Sequence, residues 1–121
     1  MVDVLILEDN SRHRRRIESD IPTGIDYLFV RNGSEFEEFL ASGKQARLYF
    51  LDDEVPDAEG AIDFHFIKHS LRLREARSDA RVFYIGSIPN PAEQRHCEEY
   101  GMKIIDRSDI GRIISQELTE D

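Results

Sequence analysis

Three consecutive carboxylates, Asp52, Asp53 and Glu54, follow directly on the apolar run Leu48-Tyr49-Phe50-Leu51, and Pro56 and Gly60 turn the chain into a loop behind them. A second acidic pair, Glu8-Asp9, closes another apolar run, Val4-Leu5-Ile6-Leu7. Runs of this length read as buried strands, too short to be helices on their own. In an open α/β sheet, ligands bind just beyond the carboxyl ends of the strands, so Glu8, Asp9 and Asp52 are expected at one edge. Carboxylates gathered there repel one another, by about 4 kcal/mol per pair at about 4 Å and an effective dielectric near 20. A hard divalent cation relieves that repulsion. Mg²⁺ suits such a site because it takes a few protein oxygens, keeps several waters and accepts a phosphate oxygen. A carboxylate held beside it can attack a phosphoryl group and carry it as an aspartyl phosphate. The plain alternative is that these acids only solvate loop edges; their pairing after two apolar strands is what sets them apart.

The elements that must position these groups alternate along the chain. Val2–Leu7 reads as a strand, and Asn10 or Ser11 caps a helix running to about Asp20. That helix carries the basic run Arg12-His13-Arg14-Arg15-Arg16 and shows only Ile17 and Ile21 as apolar anchors before Pro22 and Gly24 break it. Asp26–Val30 is a second strand. Ser34 with Glu37 spells a capping box for a helix marked by Phe36, Phe39 and Leu40 and ended by Gly43. The acidic strand at residues 48–52 is the third. Ile62, Phe66, Ile67 and Leu71 then mark one face of a long helix reaching about Arg77. Arg81–Gly86 reads as the fourth strand, and Asn90-Pro91-Ala92-Glu93 as a strong helix start whose helix Gly101 closes. Met102–Ile105 is a short fifth strand, Ser108 a cap, and Ile110, Ile113, Ile114 and Leu118 the stripe of a last helix. This alternation implies an α/β domain over residues 1–121: one doubly wound, five-stranded parallel sheet with helices on both faces.

Composition narrows the function classes. The chain has 121 residues and a formal net charge of −9, which argues against direct nucleic-acid binding and against adhesion to anionic membranes. No stretch approaches the roughly 18 apolar residues of a membrane span, and Met1 leads straight into the first strand with no leader. The single cysteine, Cys97, excludes an internal disulfide framework and fits a reducing cytoplasm, the expected location.

These residues resemble the receiver domains of two-component response regulators over essentially the whole chain. Ile6-Leu7-Glu8-Asp9-Asn10 is similar to the acidic pair that holds Mg²⁺ after the first receiver strand. Leu51-Asp52-Asp53-Glu54-Val55-Pro56 is similar to the phosphoacceptor strand and its loop, and Asn32-Gly33 with the following helix matches the second β-α unit. The resemblance implies the (βα)5 flavodoxin-like receiver fold, Asp52 as phosphoacceptor, and Mg²⁺ bound by Glu8, Asp9, Asp52 and the main-chain carbonyl of Glu54. It implies a histidine kinase or histidine phosphotransfer protein as donor and a downstream protein target. It also implies no activity beyond Mg²⁺-dependent self-phosphorylation and autodephosphorylation. The face formed by the fourth helix, fifth strand and fifth helix is where receivers dimerise or signal, so a homodimer is one option. Because the chain ends with the fifth helix, action through partner binding or phosphate relay is expected.

Two positions depart from the receiver pattern. Receivers end the fourth strand with a Thr or Ser that binds the phosphoryl group; here Ser87 fits with a one-residue shift, and Gly86 takes the place without it. Receivers end the fifth strand with Lys-Pro; here the nearest cation is Arg107, with Lys103 upstream. These departures support a second reading, a pseudo-receiver that binds partners without phosphorylation. A third is a receiver-like domain that processes cyclic phosphates, whose Asn-Pro element Asn90-Pro91 resembles; that family's catalytic histidines are replaced here by Asp53 and Gly86.

Other features have plainer readings. The basic run at residues 12–16 reads first as a solvated helix face and second as a dock for an acidic partner. His65 and His69, four apart on one helix, read as surface histidines rather than a Zn²⁺ pair. Cys97 reads as a half-buried thiol.

Overall fold

A computed structural model describes residues 1–52, 54–56, 62–64, 66–77, 79–86 and 90–118, with the backbone alone for 54–56 and 62–64. Five strands, β1 (Val2–Leu7), β2 (Tyr27–Val30), β3 (Ala46–Asp52), β6 (Val82–Ile85) and β7 (Lys103–Ile105), form one parallel sheet in the order β2-β1-β3-β6-β7. The short strands β4 (Glu54–Pro56) and β5 (Ile62–Phe64) pair antiparallel as a separate hairpin. Five helices complete the fold: α1 (Ser11–Asp20), α2 (Gly33–Ala41), α3 (Phe66–Ala76), α4 (Pro91–Tyr100) and α5 (Ile110–Leu118). A 3₁₀ turn, Arg107–Asp109, leads into α5.

Strand alternation produces two cores. Leu5, Leu7, Tyr49, Leu51, Val82 and Tyr84 face one side, where they meet Phe36, Phe39, Phe66, Leu73 and Cys97 from α2, α3 and α4. Val4, Ile6, Leu48, Phe50, Phe83 and Ile85 face the other, against Ile17 of α1 and Ile110, Ile113 and Ile114 of α5. Both faces of the central strands are therefore buried, as a parallel sheet requires. Helix α1 has only Ile17 buried, and its close contact with α5 depends on a small residue. A Cβ at Gly111 would lie 2.4 Å from the Asp20 carbonyl oxygen.

Several local readings change against the structure. The helix after Gly60 does not include Ile62, which stands in β5; the helix starts at Phe66. Its inner face is Phe66, His69, Ser70 and Leu73, while Leu71 is exposed. The second helix is capped by Asn32, whose side chain accepts the Glu35 amide at 2.8 Å, not by Ser34. The last helical segment is capped by Asp106 rather than Ser108. The helix start expected at Asn90 is present, and it is a capping box: the Asn90 side chain accepts the Glu93 amide at 2.8 Å and the Asn90 amide donates back to Glu93 at 2.9 Å. Cys97 is fully rather than half buried, and burial pushes its thiol up to about 11. His65 lies outside the described residues. His69 is no surface group; it is buried, edge-on to Phe36.

His96 is also buried, between α3 and α4, and its Nε2 lies 3.0 Å from the Ser70 hydroxyl. Burial lowers its pKa, helped by Arg74 and opposed by Glu99. The native state therefore binds fewer protons here than the unfolded chain, whose histidines titrate near about 6.5. Stability contributed by neutral His96 is full above that pH and lost as the pH falls below it. Unfolding midpoints in urea at pH 7.5 and pH 5 should show wild type losing more stability than His96→Gln; equal losses would contradict this assignment.

Candidate functional site at the acidic edge of the sheet

The order β2-β1-β3 reverses direction at β1, and the crevice of such a sheet opens between the carboxyl ends of β1 and β3. Leu7 pairs with Leu51 at this edge, so Glu8, just past β1, and Asp52, the last residue of β3, come side by side. Both are buried, at 0% and 2% exposure, in contrast to ordinary loop-edge acids. Asp9 joins them half-buried. One carboxylate oxygen from each of Glu8, Asp9 and Asp52 lies within 4.8 Å of the others.

The β1–α1 turn that presents Glu8 and Asp9 is tightly held. Asn10 accepts the amides of Arg12 and His13 at 2.9 and 3.1 Å and caps α1, while its own amide donates to Glu8 Oε2 at 3.4 Å. The Arg14 guanidinium donates from Nη1 to the main-chain carbonyls of Glu8 at 3.1 Å and Asp9 at 2.7 Å. Arg14 thus belongs to the frame of the site and not to the solvated face of α1; Arg12, Arg15 and Arg16 are exposed.

Arg107 reaches the carboxylates themselves. Its Nε donates to Glu8 Oε1 at 2.5 Å and its Nη2 to Asp52 Oδ2 at 2.6 Å, short charge-assisted bonds that join two strands through one planar group. Burial works against the guanidinium charge, but the hydrogen bonds and charges of Glu8 and Asp52 outweigh it and raise its pKa. His13 Nδ1 stands 3.6 Å from Glu8 Oε1, beyond hydrogen-bond reach. A cleft of about 340 Å³, lined by His13, Arg16, Ile17, Asp106, Arg107 and Ser108, opens beside the guanidinium. Lys103 is exposed on β7 and makes no contact with the acids among the described residues.

The end of β6 is crowded. Asp52 pairs with Ile85, so Gly86 is the first residue past the strand. A Cβ at Gly86 would lie 2.6 Å from Tyr84 Cε1 and 3.0 Å from its hydroxyl. The Tyr84 ring is fully buried, packs edge-on against Phe66 at 4.5 Å and donates its phenol to Glu93 Oε1 at 3.4 Å. The ring therefore fills the space that a side chain at 86 would need. Ser87 and Asp53 lie outside the described residues. Glu54 stands in β4, opposite Phe64.

The donor set can be judged on its chemistry. Three hard oxygen donors from separate residues, two of them buried, fit Mg²⁺, which accepts few protein ligands and keeps waters. Glu8, Asp9 and Asp52 are the residues that would hold it. Arg14, His13 and Tyr84 belong to this edge without having been singled out from the sequence. Arg14 lay within a basic run that gives no hint of which arginine turns inward, and Tyr84 lay within an apolar strand. A glycine where a strand should end in a side chain was the available signal for Tyr84.

No family model matches the chain, and no curated protein does. Solved structures do match. The phosphorylated cyanobacterial phytochrome response regulator RcpA superposes with a TM-score of 0.72 at 18% identity, covering 95% of this chain and 89% of that one. The signal receiver domain of an HD domain-containing protein from Pseudomonas fluorescens Pf-5 gives 0.75 at 12% identity, over 98% and 84%. The receiver domain of a modulated diguanylate cyclase from Desulfovibrio desulfuricans G20 gives 0.68 at 17%, over 98% and 94%. With five parallel strands in one sheet and five helices around it, the chain has the flavodoxin-like fold of response-regulator receiver domains.

Proposed function

We propose that this chain is a phosphoacceptor receiver that takes a phosphoryl group on Asp52 and signals by binding a protein partner. The observation that carries this reading is the meeting of Glu8, Asp9 and Asp52 at the carboxyl ends of β1 and β3, inside a receiver fold. An Asp52 carboxylate oxygen forms a bond to phosphorus while the bond from phosphorus to the donor breaks, its electron pair leaving with the donor. The product is an acyl phosphate, which water later hydrolyses. Mg²⁺, when bound, neutralises charge on the phosphoryl oxygens. Glu8 and Asp9 hold the ion beside the nucleophile, Arg14 fixes the turn that carries both, and Arg107 offers donors to the incoming oxygens. The phosphoryl donor is a histidine kinase or a histidine phosphotransfer protein. The main-chain carbonyl of Glu54 and the hydroxyl of Ser87 are assigned to the same site.

Intact mass after incubation with Mg²⁺ and acetyl phosphate tests this directly. One added phosphoryl group is expected, absent without metal and absent from Asp52→Asn. An adduct that survives Asp52→Asn would place the acceptor elsewhere, and no adduct together with no Mg²⁺ binding would remove the phosphoacceptor reading.

A second reading, a receiver-like interaction module that does not switch through a hydroxyl at the end of β6, is favoured by the closed position at Gly86. Its glycine follows from the Tyr84 ring, which is held by Phe66 and Glu93. Gly86→Thr is therefore expected to cost about 1–3 kcal/mol through overpacking. In urea unfolding the penalty should shrink when Tyr84→Ala is present in the same chain. A Gly86→Thr variant as stable as wild type would show that the position is open.

A further inference from the structure

We propose that Arg107 sets the cation affinity of the acidic edge: its guanidinium is a tethered occupant that a divalent ion must displace from Glu8 and Asp52 together. The inference rests on the reading of Glu8, Asp9 and Asp52 as metal ligands and adds a competitor that belongs to the chain itself.

The two carboxylates that Arg107 binds are two of the three that would hold the ion. At 2.5 and 2.6 Å its nitrogens bond Glu8 Oε1 and Asp52 Oδ2, and a metal on those atoms would face a cation at contact distance. The guanidinium is a rigid planar fork, so the two bonds do not break independently. Nor is the group locked in place by burial. Its side chain is 30% exposed, and the adjoining cleft with Arg16 and Ser108 leaves room for it to swing out. Asp9, the third carboxylate, takes no hydrogen bond from Arg107, so an arriving ion has one ligand available before the exchange. Glu8 is buried completely and takes its charge-assisted bond from Arg107, so a divalent ion arriving at Glu8 meets that guanidinium first. A phosphoryl group on Asp52 would give the released guanidinium a new acceptor, so metal and phosphoryl binding should reinforce each other.

Calorimetric titration of the full chain with Mg²⁺ alone, beside Arg107→Gln, Arg107→Lys and Glu8→Gln, reads the competition without any activity. Arg107→Gln should bind Mg²⁺ at least ten-fold more tightly than wild type. Arg107→Lys, which keeps the charge and loses the fork, should fall between them, and Glu8→Gln should bind worst. Thermal unfolding gives a second reading: Mg²⁺ should raise the melting temperature of Arg107→Gln by more than that of wild type. If Arg107→Gln does not fold without metal, Arg107→Lys carries the comparison. Equal or weaker affinity in the Arg107 variants would overturn the inference and leave the metal reading standing. No binding in wild type or in any variant would overturn both.

Discussion

The structure turns on the burial of two carboxylates at the carboxyl ends of neighbouring strands. Glu8 and Asp52 are almost wholly removed from solvent, where an uncompensated charge is costly. Everything around them supplies compensation or restraint. Arg107 donates to both, Arg14 holds the carbonyls of the turn that carries Glu8, and Asn10 closes that turn while starting α1. A buried ion pair of this kind is weak evidence for stability, because replacing it with apolar groups is often neutral.

The sheet places that pair with little freedom. Reversal of strand order at β1 sends α1 and α5 to one face and α2, α3 and α4 to the other, so the crevice at the reversal is left uncovered by helices. The two cores differ in character. The buried residues of the face under α1 and α5 are aliphatic apart from the stacked Phe50 and Phe83, with Phe29 packing at the margin, whereas the face under α3 and α4 carries polar groups in its interior. Ser70, His96, Tyr84 and Glu93 are buried there, with Tyr84 linked to Glu93 and Ser70 to His96. Such networks specify one packing arrangement more than they add stability.

Much of this was legible in the chain. Strand and helix order followed from apolar runs broken by Gly and Pro, and the acidic strand ends followed from Glu8-Asp9 and Asp52 standing directly after such runs. What escaped had physical causes. The β4–β5 hairpin is three residues a side and sits where Ile62 and Phe66 happen to share helical spacing, so periodicity favoured a longer α3. His69 reads as a surface residue when the helix face is drawn through Ile62, Phe66, Ile67 and Leu71; the helix starts only at Phe66 and turns Phe66, His69, Ser70 and Leu73 inward. The role of Arg107 depended on reach. A long side chain on a 3₁₀ turn can span to β1 and β3, but only the register of β7 and the Asp106 cap aim it there.

The position of Arg107 in the chain gives the acidic edge a mechanical connection. The residue belongs to the 3₁₀ turn that runs without interruption into α5, and α5 rests on α1 where Gly111 meets the Asp20 carbonyl with no side chain between them. The space between the two backbones is too small for even a methyl group. One 3₁₀ turn thus separates the guanidinium in the crevice from the α1–α5 layer, whereas on the other face Tyr84 of β6 reaches Glu93 of α4. The acidic edge is thereby tied, through one continuous turn of chain, to the helices on one face of the sheet.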